Sequence, residues 1–187
     1  MKYTQIPADT FEKLQLNAGI LAKSFTPSSG VTGDLIGATS GGVTFTASPE
    51  FTDYGEDIDN CPKNMKELKR LTSWEAKMSG TFITLDANTV KMLVGAADVD
   101  DIKIVPRNEL KDEDFSDIWW IGDYSNGNEG ESAGFVAIHL LNALSTAGFS
   151  LSATDDAKGQ YSFEFIGHYS MDDQDKVPFE IYVKAGA

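Results

Sequence analysis

The chain has 187 residues, and 41% hydrophobic with 11% aromatic content is enough to bury a core without disulfide staples. Its 29 acidic residues outnumber 15 basic ones, for a formal net charge of −14, and a surface of that sign repels nucleic acid and anionic membranes and excludes sequence-specific nucleic-acid readers. The lone Cys61 excludes an internal disulfide and a CxxC pair, no stretch approaches the ~18 apolar residues of a membrane span, and the amino terminus lacks a signal-peptide core; the expectation is a free thiol, no membrane and synthesis in the cytoplasm.

In chain order, a weak strand signal covers Leu14 to Leu21. After the Gly41-Gly42 turn signal, Val43, Phe45 and Ala47 alternate with Thr44 and Thr46, the period of a strand with one buried face. Residues 46–71 then read as a long loop, because Pro49, Gly55 and Pro62 interrupt any regular element, with a short helical turn expected at Met65 to Leu71. Its first half is acidic (Glu50, Asp53, Glu56, Asp57, Asp59) and its second half basic (Lys63, Lys66, Lys69, Arg70), a pattern that suits a protein partner of opposite sign.

Alternation returns from Ser73 to Thr84, with Trp74, Ala76, Met78, Gly80 and Phe82 on one face and Ser73, Glu75, Lys77, Ser79 and Thr81 on the other. One helix is expected next: Asp86 caps it, Val90, Leu93, Val94 and Ala97 fall on one face, and Gly95 weakens or ends the last turn. A second, acid-rich loop spans 98–117 and runs up to Trp119-Trp120. Strands follow at Ile118 to Tyr124, at Phe135 to Leu144 with apolar residues on both faces, at Phe149 to Thr154, at Gln160 to Ser170 and at Phe179 to Val183, with turn signals at Asn126-Gly127, Gly148 and Gly159. The sum is a mainly β chain: one domain over 1–187, an antiparallel β-sandwich or small barrel of about seven or eight strands, one flanking α-helix and long interaction loops.

Catalytic constellations are hard to assemble. His139 reads as a satisfied core or interface residue and His168 as a polar-face strand histidine, and no G-x-S-x-G elbow accompanies either. Asp57-Ile-Asp59 opens like a calcium loop, but Cys61 takes the third ligand position and Pro62 stands where glycine is required. Neither phosphate-binding glycine motif occurs, so no cofactor is expected.

The segments Asn17-Ala-Gly-Ile-Leu21, Gly37-Ala-Thr-Ser-Gly-Gly-Val-Thr-Phe45, Leu110-Lys-Asp-Glu-Asp-Phe-Ser-Asp-Ile-Trp-Trp120, Lys158-Gly-Gln-Tyr-Ser-Phe-Glu-Phe-Ile-Gly-His-Tyr-Ser170 and Val177-Pro-Phe-Glu-Ile-Tyr-Val183 resemble, in their order, the major tail proteins of long-tailed bacteriophages. That resemblance implies a tail-tube fold, hexameric rings that stack into a hollow tube, a place in the virion tail, and double-stranded DNA as cargo that passes through without being held. It also implies tape-measure and tail terminator or tip proteins as partners, and no catalytic residues. The candidates for subunit and ring contacts are Asp53, Tyr54, Glu56, Asp57, Lys63, Lys66, Lys69, Arg70, Phe115, Trp119 and Trp120; those for lining the lumen are Glu75, Lys77, Glu164 and His168. The alternation alone equally suits a monomeric β-sandwich module that binds carbohydrate or a cell surface, and an enzyme on such a sandwich would rest on Glu164 or His168.

Overall fold

The structure is a computed structural model that describes residues 6–10, 13–123 and 134–185. Tyr124 and the expected turn at Asn126-Gly127 lie outside the described residues. Thirteen strands and one α-helix run in the order β1 (Ile20–Ala22), β2 (Phe25–Thr26), β3 (Val31–Thr32), β4 (Leu35–Gly37), β5 (Thr39–Asp53), β6 (Lys69–Phe82), α1 (Ala87–Val94), β7 (Ala97–Asp100), β8 (Lys103–Pro106), β9 (Ser116–Asp123), β10 (Phe135–Ser145), β11 (Ser150–Ser152), β12 (Gln160–Ile166) and β13 (Phe179–Lys184).

All pairings among the described residues are antiparallel, and apart from the separate β2–β3 and β7–β8 hairpins they build two sheets that share β10. The first sheet has the order β4-β1-β9-β10-β13; the second is β5-β6-β12, with β11 on the free edge of β12. Strand β10 serves both because it bends. Between Leu140 and Ala143 its register with β9 shifts, Asn142 adopts φ 47°, and Leu144 and Ser145 then pair with Ile166 and Phe165 of β12. A bulge that lets a strand cross from one sheet to the other is how a sandwich corner is made. The outcome is an open sandwich, not a barrel.

The alternating residues meet as their period demands. Ala76, Met78 and Phe82 of β6 and Phe163 and Phe165 of β12 point into the main core with Leu21, Ile118 and Leu140 of the first sheet and Leu93 of the helix. Strands β9 and β10 are covered on their other face as well, where Trp119, Ile121, Phe135 and Ala137 pack against Phe25 of the small β2–β3 hairpin. This is why 135–144 is apolar on both faces.

The helix starts where expected, with the Asp86 carboxylate accepting the Thr89 N–H at 2.6 Å, and stops at Gly95, whose φ of 84° ends the run. Leu93 and Thr89 are its buried residues; Thr89 Oγ1 donates to the Ile36 carbonyl at 3.0 Å, while Val90 and Val94 are half-buried. Ala97 is buried, but as the first residue of β7, not as part of the helix.

Both expected loops are more ordered than the sequence reading. Residues 46–53 continue β5 and 69–71 begin β6, paired from Thr46↔Lys77 out to Asp53↔Lys69, so the irregular part shrinks to 54–68. The helical turn at Met65 to Leu71 is absent; a single turn closes there through Leu68 N–H to the Met65 carbonyl. The stretch 98–117 contains the β7–β8 hairpin, turning at Asp101 with φ 54°, and a short 3-10 turn at Asp112–Asp114. Strand β12 ends at Ile166, yet the chain stays alongside β6: Gly167 N–H donates to the Ala76 carbonyl and the Tyr169 hydroxyl accepts the Trp74 N–H.

Candidate interaction surface at the arm and its root

Past Ala47 on β5 and Trp74 on β6 the hairpin leaves the sandwich. Ser48 to Thr52 and Lys69 to Thr72 are all exposed, though the strands stay paired across a register shift between Glu50 and Phe51 that leaves Thr72 without a ladder partner. From Ser48↔Glu75 to Asp53↔Lys69 this arm extends about 17 Å at strand rise. Pro49 sits opposite Trp74 on the outer strand of the sheet, where its missing N–H costs no ladder bond. The Trp74 N–H correspondingly points the other way, to Tyr169.

The tip, residues 54–68, is built by local chemistry. The Asp53 carboxylate accepts the N–H groups of Gly55 and Asn64, both at 2.9 Å, and these bonds hold its pKa below the usual aspartate value. Gly55 is buried, and a Cβ there would stand 3.0 Å from Leu68 Cδ1. Asn60 and Asn64 take positive φ, which asparagine tolerates. Asp53 is therefore a tip-organising residue.

Tyr54, Glu56, Asp57, Lys63, Lys66, Lys69 and Arg70 are exposed on this arm, so the structure brings that group of expected contact residues together. Between them stand apolar side chains that the sequence reading passed over: Phe51 is 52% exposed, Ile58 51% and Leu71 49%. Phe51 and Leu71 face each other across the strands and Lys69 Nζ lies 5.1 Å from the Phe51 ring. Phe51 and Leu71 thus form a small apolar pair exposed to water on the arm.

The remaining expected contact residues lie elsewhere. Trp119 is buried in β9, stacked on His139 at 3.9 Å, and Trp120 is half-buried with its Nε1–H donating to the Ala18 carbonyl; both lie in the strand expected from Ile118 onward and are packed within the fold, away from the arm. Strand β9 starts at Ser116. Phe115 is half-buried, edge-on to His168.

Of the expected lumen residues, Glu75, Lys77 and Glu164 share the outer face of the second sheet, with Lys77 Nζ 3.5 Å from Glu164 Oε2. Thr44, Thr46, Ser79, Ser150 and Ser162 join them, so the face is rich in hydroxyls and only mildly charged. His168 departs from it. Beyond the end of β12 it turns toward the β10 bulge, where Nδ1 lies 3.1 Å from the Asn142 carbonyl and the Asn142 amide donates to the His168 carbonyl.

His139 belongs to the first sheet. Nε2 lies 3.0 Å from Asp117 Oδ2, while Nδ1, 3.5 Å from Glu180 Oε2, makes no hydrogen bond. The Asp117 carboxyl is held low by the His139 hydrogen bond and further by the Asn142 N–H, against the opposing effect of burial. Glu180 is held low chiefly by the Tyr182 hydroxyl, which donates to it. This cluster clips edge strand β13 to β9 and β10.

Two clefts complete the surface. One of about 350 Å³ lies between the β2–β3 hairpin and β9–β10, lined by Phe25, Ile121, Phe135 and Asp123 among others. The second, about 540 Å³, lies at the root of the arm around Phe115, His168, Tyr169 and Met171, with Asp112 and Asp172 at its sides. Among the described residues, no helix is long and apolar enough to cross a membrane.

No family model and no curated protein sequence matches the chain. Among solved structures the chain is similar to one described as "Tail of empty GTA particle computed with helical refinement, C6 symmetry", a gene transfer agent particle, at 10% identity and a TM-score of 0.40, over 82% of this chain and 92% of that chain.

Proposed function

We propose that the chain is a structural subunit of a phage-like tail, assembling with copies of itself into stacked hexameric rings that form a tube for DNA. The observation that carries this reading is the β5–β6 arm. A paired hairpin that projects about 17 Å beyond its sandwich and presents Phe51, Tyr54, Ile58 and Leu71 to water gains nothing for the isolated fold, and gains burial once a second molecule covers it. The order of the sequence segments that resemble those of major tail proteins supports the same reading. Among the described residues β5 and β13 each pair with one strand only, and edges that a monomer must protect are covered when subunits pair along them in a ring. The hydroxyl-rich outer face of the second sheet, with Glu75, Lys77 and Glu164, is the proposed lumen wall, offering passing DNA little cation to bind.

In this reading the role is structural, not catalytic, the protein is made in the host cytoplasm and ends in the virion tail, and tape-measure and terminator or tip proteins set the tube's length and ends. The test is native mass spectrometry of the full chain beside a variant in which 51–71 is replaced by Asn-Gly. Oligomers of the full chain that the short-arm variant cannot form support the proposal; equal oligomerisation of both refutes the role given to the arm.

A further inference from the structure

The proposed self-assembly leaves open what receives the arm, and charge narrows the choice. Lys63, Lys66, Lys69 and Arg70, four of the chain's 15 basic residues, run along the returning limb of the hairpin, all exposed, with Met65 38% and Leu71 49% exposed among them. The cleft at the arm's root has the opposite character. Its apolar surface is Phe115, Tyr169, 41% exposed, and Met171, 89% exposed, and its lining carries Asp112 and Asp172 and no lysine or arginine; Asp173 and Asp175 lie next along the chain, with Lys176 after them and Lys111 before Asp112. In a chain of net charge −14, an exposed basic limb is scarce and most surfaces of another copy repel acids more than they select cations.

We infer that the basic limb of one copy's arm seats in the acidic, aromatic groove at the root of another copy's arm; this rests on the self-assembly proposed above. The acidic limb, with Glu56, Asp57 and Asp59, is repelled by the groove, so only one limb faces it. The contact is between copies because of the arm's own geometry. Tyr169 is tied to Trp74 at the point where β6 leaves the sandwich, and about 17 Å of paired strand, with one bulge at Thr72, holds each tip away from its own root. Tip and root are different surfaces, so a contact made once between two copies, and not exchanged reciprocally across a two-fold axis, is heterologous. Each copy gives a tip and offers a root, and such a contact propagates through successive copies instead of closing as a two-fold dimer.

Charge exchange in the full-length chain tests this, with oligomer size read by sedimentation velocity and folding checked by thermal denaturation. Lys63→Glu with Lys66→Glu, and separately Asp172→Lys with Asp173→Lys, are each expected to raise the concentration needed for assembly by about tenfold or more. Mixing the two variants, or joining all four substitutions in one chain, is expected to restore assembly, because each reversed limb then meets a reversed groove. Folded single-site variants that lose assembly and are not restored overturn the inference. So does groove reversal that leaves assembly unchanged while the short-arm variant stays monomeric, a result that keeps the self-assembly reading. A wild-type chain that is monomeric at every concentration overturns both.

Discussion

The groove at the arm's root is held in place by one buried ion pair, and removing its cation has a calculable consequence. Arg107 follows β8, is 13% exposed in its side chain, and places Nη2 2.6 Å from Oδ1 of Asp114, whose side chain is 0% exposed. Asp114 Oδ2 accepts the Lys111 N–H at 2.9 Å, and Arg107 Nη1 donates to the Glu109 carbonyl at 2.8 Å. Arg107 Nε lies 2.9 Å from Asp98 Oδ1 but lacks a hydrogen bond, so that contact is counted as Coulombic attraction alone. Burial pushes the Asp114 pKa up, but the Lys111 N–H and the guanidinium outweigh it and hold the carboxyl below its usual value. Arg107→Met leaves a buried carboxylate with a single backbone donor. Removing one partner of a buried pair costs about 3–5 kcal/mol, and the attraction of Lys91 that Asp114 keeps places this case near 3. For a chain of this size that lowers the melting temperature by roughly 6–12 °C.

Urea unfolding followed by tryptophan fluorescence measures it. The sign with pH is fixed: because the folded carboxyl is depressed, its contribution is present above the ordinary aspartate range and lost as pH falls through it, so the variant's deficit shrinks in acid. Replacing both partners, Arg107→Met with Asp114→Leu, recovers most of the loss. An Arg107→Met protein within about 0.5 kcal/mol of wild type at neutral pH would refute the reasoning.

Other outcomes follow from the same structure. Phe82→Ala empties a fully buried site packed on Phe163 and is expected to cost about 3–5 kcal/mol in denaturant titration. Asp86→Ala removes the helix cap and is expected to cost about 1 kcal/mol by thermal denaturation. Asp117 and Glu180 both have depressed folded values, so the hold on β13 that they share with His139 weakens as pH drops below the ordinary carboxylate range; amide exchange along 179–184 is expected to accelerate there relative to β6. Replacing 51–71 by Asn-Gly is expected to leave the melting temperature within a few degrees of wild type, since exposed residues supply little folding energy, and a collapse in stability would show the arm to be part of the core.

The sandwich was legible wherever one face is buried. Trp74 to Phe82 and Tyr161 to Phe165 alternate because every second residue enters the core, and Asp86 with Gly95 marks the helix by the capping each performs. The arm was not legible, for the complementary reason. Glu50-Phe51-Thr52 and Lys69-Arg70-Leu71 are exposed on both faces, so neither strand carries one-sided alternation, and Pro49 reads as a breaker unless the strand is known to be an edge. Strand β7 was hidden by charge: Asp98-Val99-Asp100 pairs with Lys103-Ile104-Val105, a hairpin outside the main core. The expected basic contact residues lie together on the arm, while the bond from the Trp74 N–H to the Tyr169 hydroxyl carried no local signal because the two residues are distant in sequence.

The central claim, that this chain assembles with itself into a tube, is tested most directly by negative-stain electron microscopy of the purified full-length protein over a concentration series. The account predicts hollow rings or tubes of one uniform width that become more numerous as concentration rises. Isolated particles of monomer size at every concentration would contradict it.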